Sequence, residues 1–159
     1  MPDIWVERLH IALSERQLKL TTAESCTGGL FGVALTDRPG ISAVYSSGFI
    51  TYANEAKRDI LGVPQDVLDT HGAVSEATAK AMAEGARAKT DTDLAISITG
   101  IAGPGGGSEH KPVGLVYIGA AMAGKDTIVA KRNFDGDRDA VRRQAVDAAA
   151  KLGVEMLES

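Results

Sequence analysis

The chain of 159 residues carries 17 Lys and Arg against 21 Asp and Glu, a formal net charge of −4, with 44% apolar and 24% charged residues. That length and balance suit one globular domain with one core, and the acidic sign excludes the broad basic footprint of a general nucleic-acid binder. The single cysteine, Cys26, excludes an internal disulfide and fits a reducing cytoplasm.

The opening stretch from Met1 to Arg8 places acids where a secretory signal would be basic and then apolar. Trp5, Leu9, Ala12 and Leu13 share one face of an amphipathic helix over residues 3–16. Leu18 to Thr22 alternates like a strand. The following Ala23-Glu24-Ser25-Cys26-Thr27-Gly28-Gly29 crowds a hydroxyl, a thiol and two glycines onto a strand-to-helix turn. Free backbone N–H groups at such a turn, at the positive end of a helix, suit a nucleophile with an oxyanion hole, or an anionic ligand. Gly28 to Leu35 reads as the short helix that follows, ended by Arg38-Pro39-Gly40.

Tyr45 to Tyr52 reads as a second strand. Asn54 suits the N-cap of a helix over Glu55 to Leu61, stopped by Gly62 with Pro64 beyond. A short helix over Pro64 to Thr70 precedes a long alanine-rich one, Glu76 to Lys89, capped by Ser75. Leu94 to Thr99 is a buried-type strand that runs into the glycine-rich stretch Gly100 to Gly107. Val113 to Met122 and Thr127 to Phe134 form a hairpin, and Asp137 caps a last helix over Arg138 to Leu157. The longest weakly polar run, Pro112 to Gly124, is too short and glycine-rich to span a bilayer. Helices alternating with strands, closed by a hairpin, predict a single three-layer α/β/α sandwich over 1–159, around a mixed sheet of about five strands.

Ser25 is the first candidate for chemistry, although on position alone a helix cap is its commoner role. The pair Gly28-Gly29 lets the backbone approach a ligand closely. Cys26 is the rival nucleophile, activated if a helix terminus lowers its pKa, inert if it is simply buried. Nothing in the spacing singles out His10, His71 or His110 as a base. Lys57, early in the helix capped by Asn54, is a better one, since the helix dipole and burial both disfavour its proton; a solvated lysine is the bland alternative. A lysine so deprotonated can activate serine, and the Tyr52 hydroxyl could bridge or orient the pair.

The Gly100–Gly107 loop follows a strand, where ligands gather in open α/β sheets, but it matches neither a Walker A loop nor the Rossmann spacing. Asp135, Asp137 and Asp139 begin like a calcium loop, yet Ala140 and Val146 stand where that loop needs glycine and glutamate. No Cys/His pattern supports zinc, and no cofactor is implied. Arg138, Arg142 and Arg143 read as a solvated face or as a clamp for phosphate or carboxylate.

Several of these segments occur together, and in this order, in one family. They are Thr22-Ala23-Glu24-Ser25-Cys26-Thr27-Gly28-Gly29, Tyr52-Ala53-Asn54-Glu55-Ala56-Lys57, His71-Gly72-Ala73-Val74-Ser75, Gly100-Ile101-Ala102-Gly103-Pro104, Lys111-Pro112-Val113-Gly114 and Gly136-Asp137-Arg138. Over nearly its whole length the chain resembles the C-terminal domain of the competence/damage-inducible CinA family, whose stand-alone members include nicotinamide mononucleotide deamidases. The resemblance implies hydrolysis of the carboxamide of that pyridine mononucleotide to nicotinate mononucleotide and ammonia, without metal or cofactor. It implies Ser25 as nucleophile, Lys57 as its base and Tyr52 as a supporting hydroxyl. Substrate contacts are expected from Cys26, Thr27, Gly28, Gly29, Asn54, Gly100, Gly103, Gly105 and Arg142.

A cytoplasmic homo-oligomer, a dimer, is implied too, with no membrane and no direct nucleic-acid partner. The molybdopterin-binding-like domain of longer relatives has no expected counterpart in this chain, so their pyrophosphatase activity is not carried over. Ala53 stands where many relatives have serine and Gly105 where many have aspartate. The competing expectation is a nucleotide-binding or interaction module of the competence or DNA-damage response, without catalysis.

Overall fold

A computed structural model describes residues 4–159. Five strands form one sheet in the order β2-β1-β3-β4-β5: β1 (Leu20–Glu24), β2 (Tyr45–Ile50), β3 (Leu94–Gly100), β4 (Leu115–Met122) and β5 (Ile128–Asn133). β2, β1 and β3 run parallel, β4 runs antiparallel to β3, and β5, antiparallel to β4, again runs in the direction of the first three. Around them lie α1 (Ile4–Arg16), α2 (Leu30–Thr36), α3 (Asn54–Leu61), α4 (Gln65–His71), α5 (Glu76–Thr90) and α6 (Arg138–Glu158). This is the expected three-layer sandwich with a mixed sheet. The expected start of the first helix at Asp3 lies outside the described residues.

Two apolar clusters define the layers. Leu9 and Leu13 of α1, Phe31 and Leu35 of α2, and Val141, Ala145 and Ala149 of α6 pack with Leu20, Ile96 and Ile118 on one face. On the other, Leu61, Leu68, Met82 and Ala86 of α3, α4 and α5 cover Ala23 and Ala95. β1 is therefore buried on both faces, all five of its residues included. Alternation, the cue that suggested Leu18 to Thr22, does not mark such a strand. Pairing with both neighbours carries β1 two residues further, to Glu24.

Two other boundaries shift for backbone reasons. Gly28 and Gly29 sit at φ +56° and +106°, outside right-handed helix geometry, so α2 begins at Leu30 and not at Gly28. At α3 the cap position belongs to Ala53, whose extended backbone (φ −78°, ψ 155°) precedes the first helical residue, Asn54. Asn54 therefore does not cap this helix, and Ala53 has no side-chain oxygen to do so. Ala53→Ser is expected to stabilise the fold by about 1 kcal/mol through a bond to a free N–H of the first turn. Thermal unfolding checks this, and an unchanged midpoint would count against the assignment. The caps foreseen at Ser75 and Asp137 are present: Ser75 Oγ accepts from the Thr78 N–H at 3.1 Å and Asp137 Oδ1 from the Ala140 N–H at 2.9 Å.

The parallel strands β1, β2 and β3 all end at one edge of the sheet, where Glu24 lies in register with Ile50 and Ile98. β5 ends at this edge too, with Asn133 opposite Leu115 at the start of β4, and hands over to α6. The turn after β1, the Thr51-Tyr52-Ala53 link, the glycine loop and the first turns of α6 thus converge. Carboxyl ends of parallel strands are where open α/β sheets place their ligands.

Candidate active site

Ser25 is the first residue beyond β1. Its N–H donates to Ile98 O at 3.0 Å, which moors the turn to β3. Lys57 lies in the first turn of α3 and is fully buried. Its Nζ lies 2.9 Å from Ser25 Oγ, 2.8 Å from Thr51 O and 2.9 Å from Tyr52 O. Two residues 32 positions apart in sequence thus meet across the sheet edge. Burial pushes the Lys57 ammonium from its ordinary 10.5 down to about 8, opposed only by Cys26.

That geometry matters for the neutral amine, which has two N–H bonds and one lone pair. As an ammonium Lys57 donates to Thr51 O, Tyr52 O and Ser25 Oγ; on losing a proton it can keep its two N–H bonds on the carbonyls and turn its lone pair to Ser25 Oγ. The Lys57 nitrogen is thereby pointed at the hydroxyl it could deprotonate. Tyr52 reaches the pair through its main chain, and not through the hydroxyl expected from sequence. Its side chain is largely exposed, with the phenol oxygen 3.4 Å from Arg138 Nη2. His10 is occupied elsewhere: its Nδ1 accepts from Arg38 Nε at 2.9 Å.

Cys26 is buried, and desolvation raises its thiol to about 11 despite the opposing pull of its own N–H, Arg142 and Lys57. It is therefore protonated at neutral pH and a poor nucleophile. The α2 terminus does not activate it, because a carboxylate already fills that terminus. Glu24, 2% exposed, accepts from the N–H groups of Gly29 (3.2 Å), Phe31 (2.9 Å) and Gly32 (3.0 Å). The positive helix end foreseen as an anion site is thus closed by the protein's own side chain. Sequence reasoning passed over Glu24. An acid ending a strand a few residues ahead of a helix start was the available signal.

Arg142 of α6 reaches back over 115 residues to the turn: its Nε donates to Cys26 O at 3.1 Å and its Nη2 to Thr27 O at 2.9 Å. One helical turn earlier, Arg138 Nη1 donates to Gly103 O at 2.8 Å. α6 therefore ties the Ser25 turn and the glycine loop together. Gly100 ends β3, closed in by Val116, whereas nothing crowds the position of a Cβ on Gly105. Asn54 is exposed at the start of α3. Arg143 pairs with Asp139 at 2.8 Å on the surface and takes no part. Thr27 Oγ1 and Thr51 Oγ1, both buried, have no hydrogen-bond partner among the described residues.

Among the described residues no three His, Cys, Asp or Glu side chains cluster as metal ligands, and no helix is long and apolar enough to cross a membrane. Asp137 and Asp139, part of the triplet that begins like a calcium loop, serve as a helix cap and an ion-pair partner.

The family model described as CinA C-terminal domain matches residues 4–157. The chain is 51% identical over 139 residues to the nicotinamide-nucleotide amidohydrolase PncC of Escherichia coli K12, covering 87% of this chain and 84% of that protein. It is 53% identical over 141 residues to a putative competence-damage inducible protein of Caldicellulosiruptor bescii, covering 88% of this chain and 34% of that one. The chain spans about a third of the length of such longer curated relatives. A crystal structure of competence/damage inducible protein CihA from Agrobacterium tumefaciens superposes with a TM-score of 0.94 at 41% identity, covering 99% and 95% of the two chains.

Proposed function

Because the chain belongs to the CinA C-terminal domain family, we propose that it hydrolyses the carboxamide of nicotinamide mononucleotide, releasing nicotinate mononucleotide and ammonia. The observation that carries this reading is the buried Lys57 amine, held by two carbonyls and aimed at Ser25 Oγ from 2.9 Å. The 51% identity to PncC across most of both chains supports the substrate.

In this mechanism Ser25 Oγ attacks the carboxamide carbon as its proton passes to Lys57 Nζ. The N–H groups of Cys26 and Thr27 receive the oxyanion. Lys57 returns the proton to the departing nitrogen, which leaves as ammonia, and the acyl group stays on Ser25 as an ester. Water, deprotonated by Lys57, cleaves the ester and regenerates the serine. Tyr52 contributes through its carbonyl, and its phenol, Asn54, Gly28, Gly29 and the loop from Gly100 through Gly103 to Gly105 face the nucleotide. The protein works as a cytoplasmic dimer in this reading, and light scattering in solution decides that part.

The test is ammonia release from nicotinamide mononucleotide without added metal. Turnover that needs Ser25 is expected. Tight binding of the mononucleotide with no turnover would overturn the amidase reading in favour of a binding module.

A further inference from the structure

The turn that carries Ser25 can be accounted for peptide by peptide. Ser25 N–H donates to Ile98 O, Gly28 N–H to Ser25 O and Leu30 N–H to Thr27 O, each at 3.0 Å. Gly29 N–H donates to Glu24. Arg142 takes the carbonyls of Cys26 and Thr27. Among the described residues, the Cys26 N–H, which faces its own sulfur, and the Thr27 N–H are left without an oxygen acceptor.

A trans peptide points its C=O and its N–H in opposite directions. Arg142 Nε holds Cys26 O toward α6, so the Thr27 N–H of the same peptide is turned away from α6. α6 packs on one face of the sheet, while Lys57 comes from α3 on the other. The free N–H is thus turned to the side from which Lys57 meets Ser25. The turn's own bonds engage the peptides on either side, while, among the described residues, the Cys26–Thr27 peptide is held only through its carbonyl, by Arg142.

From this we infer that Arg142 is a positioning residue for catalysis: by gripping the carbonyls of Cys26 and Thr27 it fixes the peptide plane that presents the Thr27 N–H to the oxyanion. The inference deepens the amidase reading and rests on it. It also differs from the sequence expectation of Arg142 as a substrate clamp, since two of its donors already serve the main chain. A lysine, as a point charge, lacks the fork that spans two carbonyls.

The experiment compares wild type with Arg142→Ala and Arg142→Lys. With nicotinamide mononucleotide, kcat is expected to fall by about 100-fold or more in both, as on loss of one oxyanion donor. KM should move less than about threefold. Added guanidinium should restore part of kcat to Arg142→Ala and none to Arg142→Lys. A kcat within a few-fold of wild type with KM strongly raised would overturn the inference and make Arg142 a substrate clamp.

Backbone amide spectra of the 15N-labelled proteins supply a reading independent of turnover. A shifted or broadened Thr27 amide in a spectrum otherwise like wild type is expected in Arg142→Ala. An unchanged Thr27 amide overturns the inference. Should wild type itself release no ammonia, the amidase reading fails, while the amide spectra still report whether Arg142 sets this peptide.

Discussion

Ser25→Ala is expected to lower the rate of ammonia release at least about 1,000-fold, the scale seen when a nucleophile is removed and binding groups remain. The substrate should still bind, because the alanine leaves the turn's backbone bonds to Ile98 and Gly28 in place. Cys26→Ala, made beside it, should lose less than about tenfold. Its thiol, raised to about 11 by burial, is protonated at neutral pH, and what it offers the reaction is its main-chain N–H. Single-turnover assays with labelled substrate would separate binding from chemistry. If Cys26→Ala is the variant that dies while Ser25→Ala survives, the nucleophile is the thiol and the assignment reverses.

The second large effect concerns Lys57. A general base must be unprotonated, and burial sets this amine near 8. About a tenth of it is therefore free at pH 7 and about nine tenths at pH 9. kcat/KM is expected to rise about tenfold over that interval, with a midpoint near 8, before flattening. The sign follows from the role: lowering the pH protonates the base and removes its lone pair from Ser25. Lys57→Arg keeps a cation but cannot lose its proton, so its activity should be absent at every pH. A pH–rate profile measures both. A rate flat between pH 7 and 9, or one falling across it, would remove Lys57 from the base role.

These two residues also show how far a reader of the bare chain can go. Ser25 stands in a recognisable strand-to-helix turn, and Lys57 at the start of a helix with clear stop signals. Their family context suggested a pairing, but a separation of 32 positions carries no signal of a contact; only the parallel register of β2 with β1 brings Thr51 and α3 beside Ser25. Tyr52 illustrates the same limit. Its phenol attracted attention as a side chain, whereas the contact is made by its carbonyl, a group every residue has and no sequence pattern distinguishes. The strand before the turn was misplaced by two residues because β1 is buried on both faces and so does not alternate.

The layers of the fold and the order of its elements were legible in the chain, through helix periodicity, the caps at Ser75 and Asp137 and the family motifs around Ser25. These are local signals, written within a few residues of the structure they specify. Tertiary structure alone decided that Glu24 closes the α2 terminus, that Arg142 grips the turn from 115 residues away, and that dry surroundings loosen the proton of Lys57. Each depends on what lies across space from a residue, and burial, peptide orientation and pKa are properties of that surrounding.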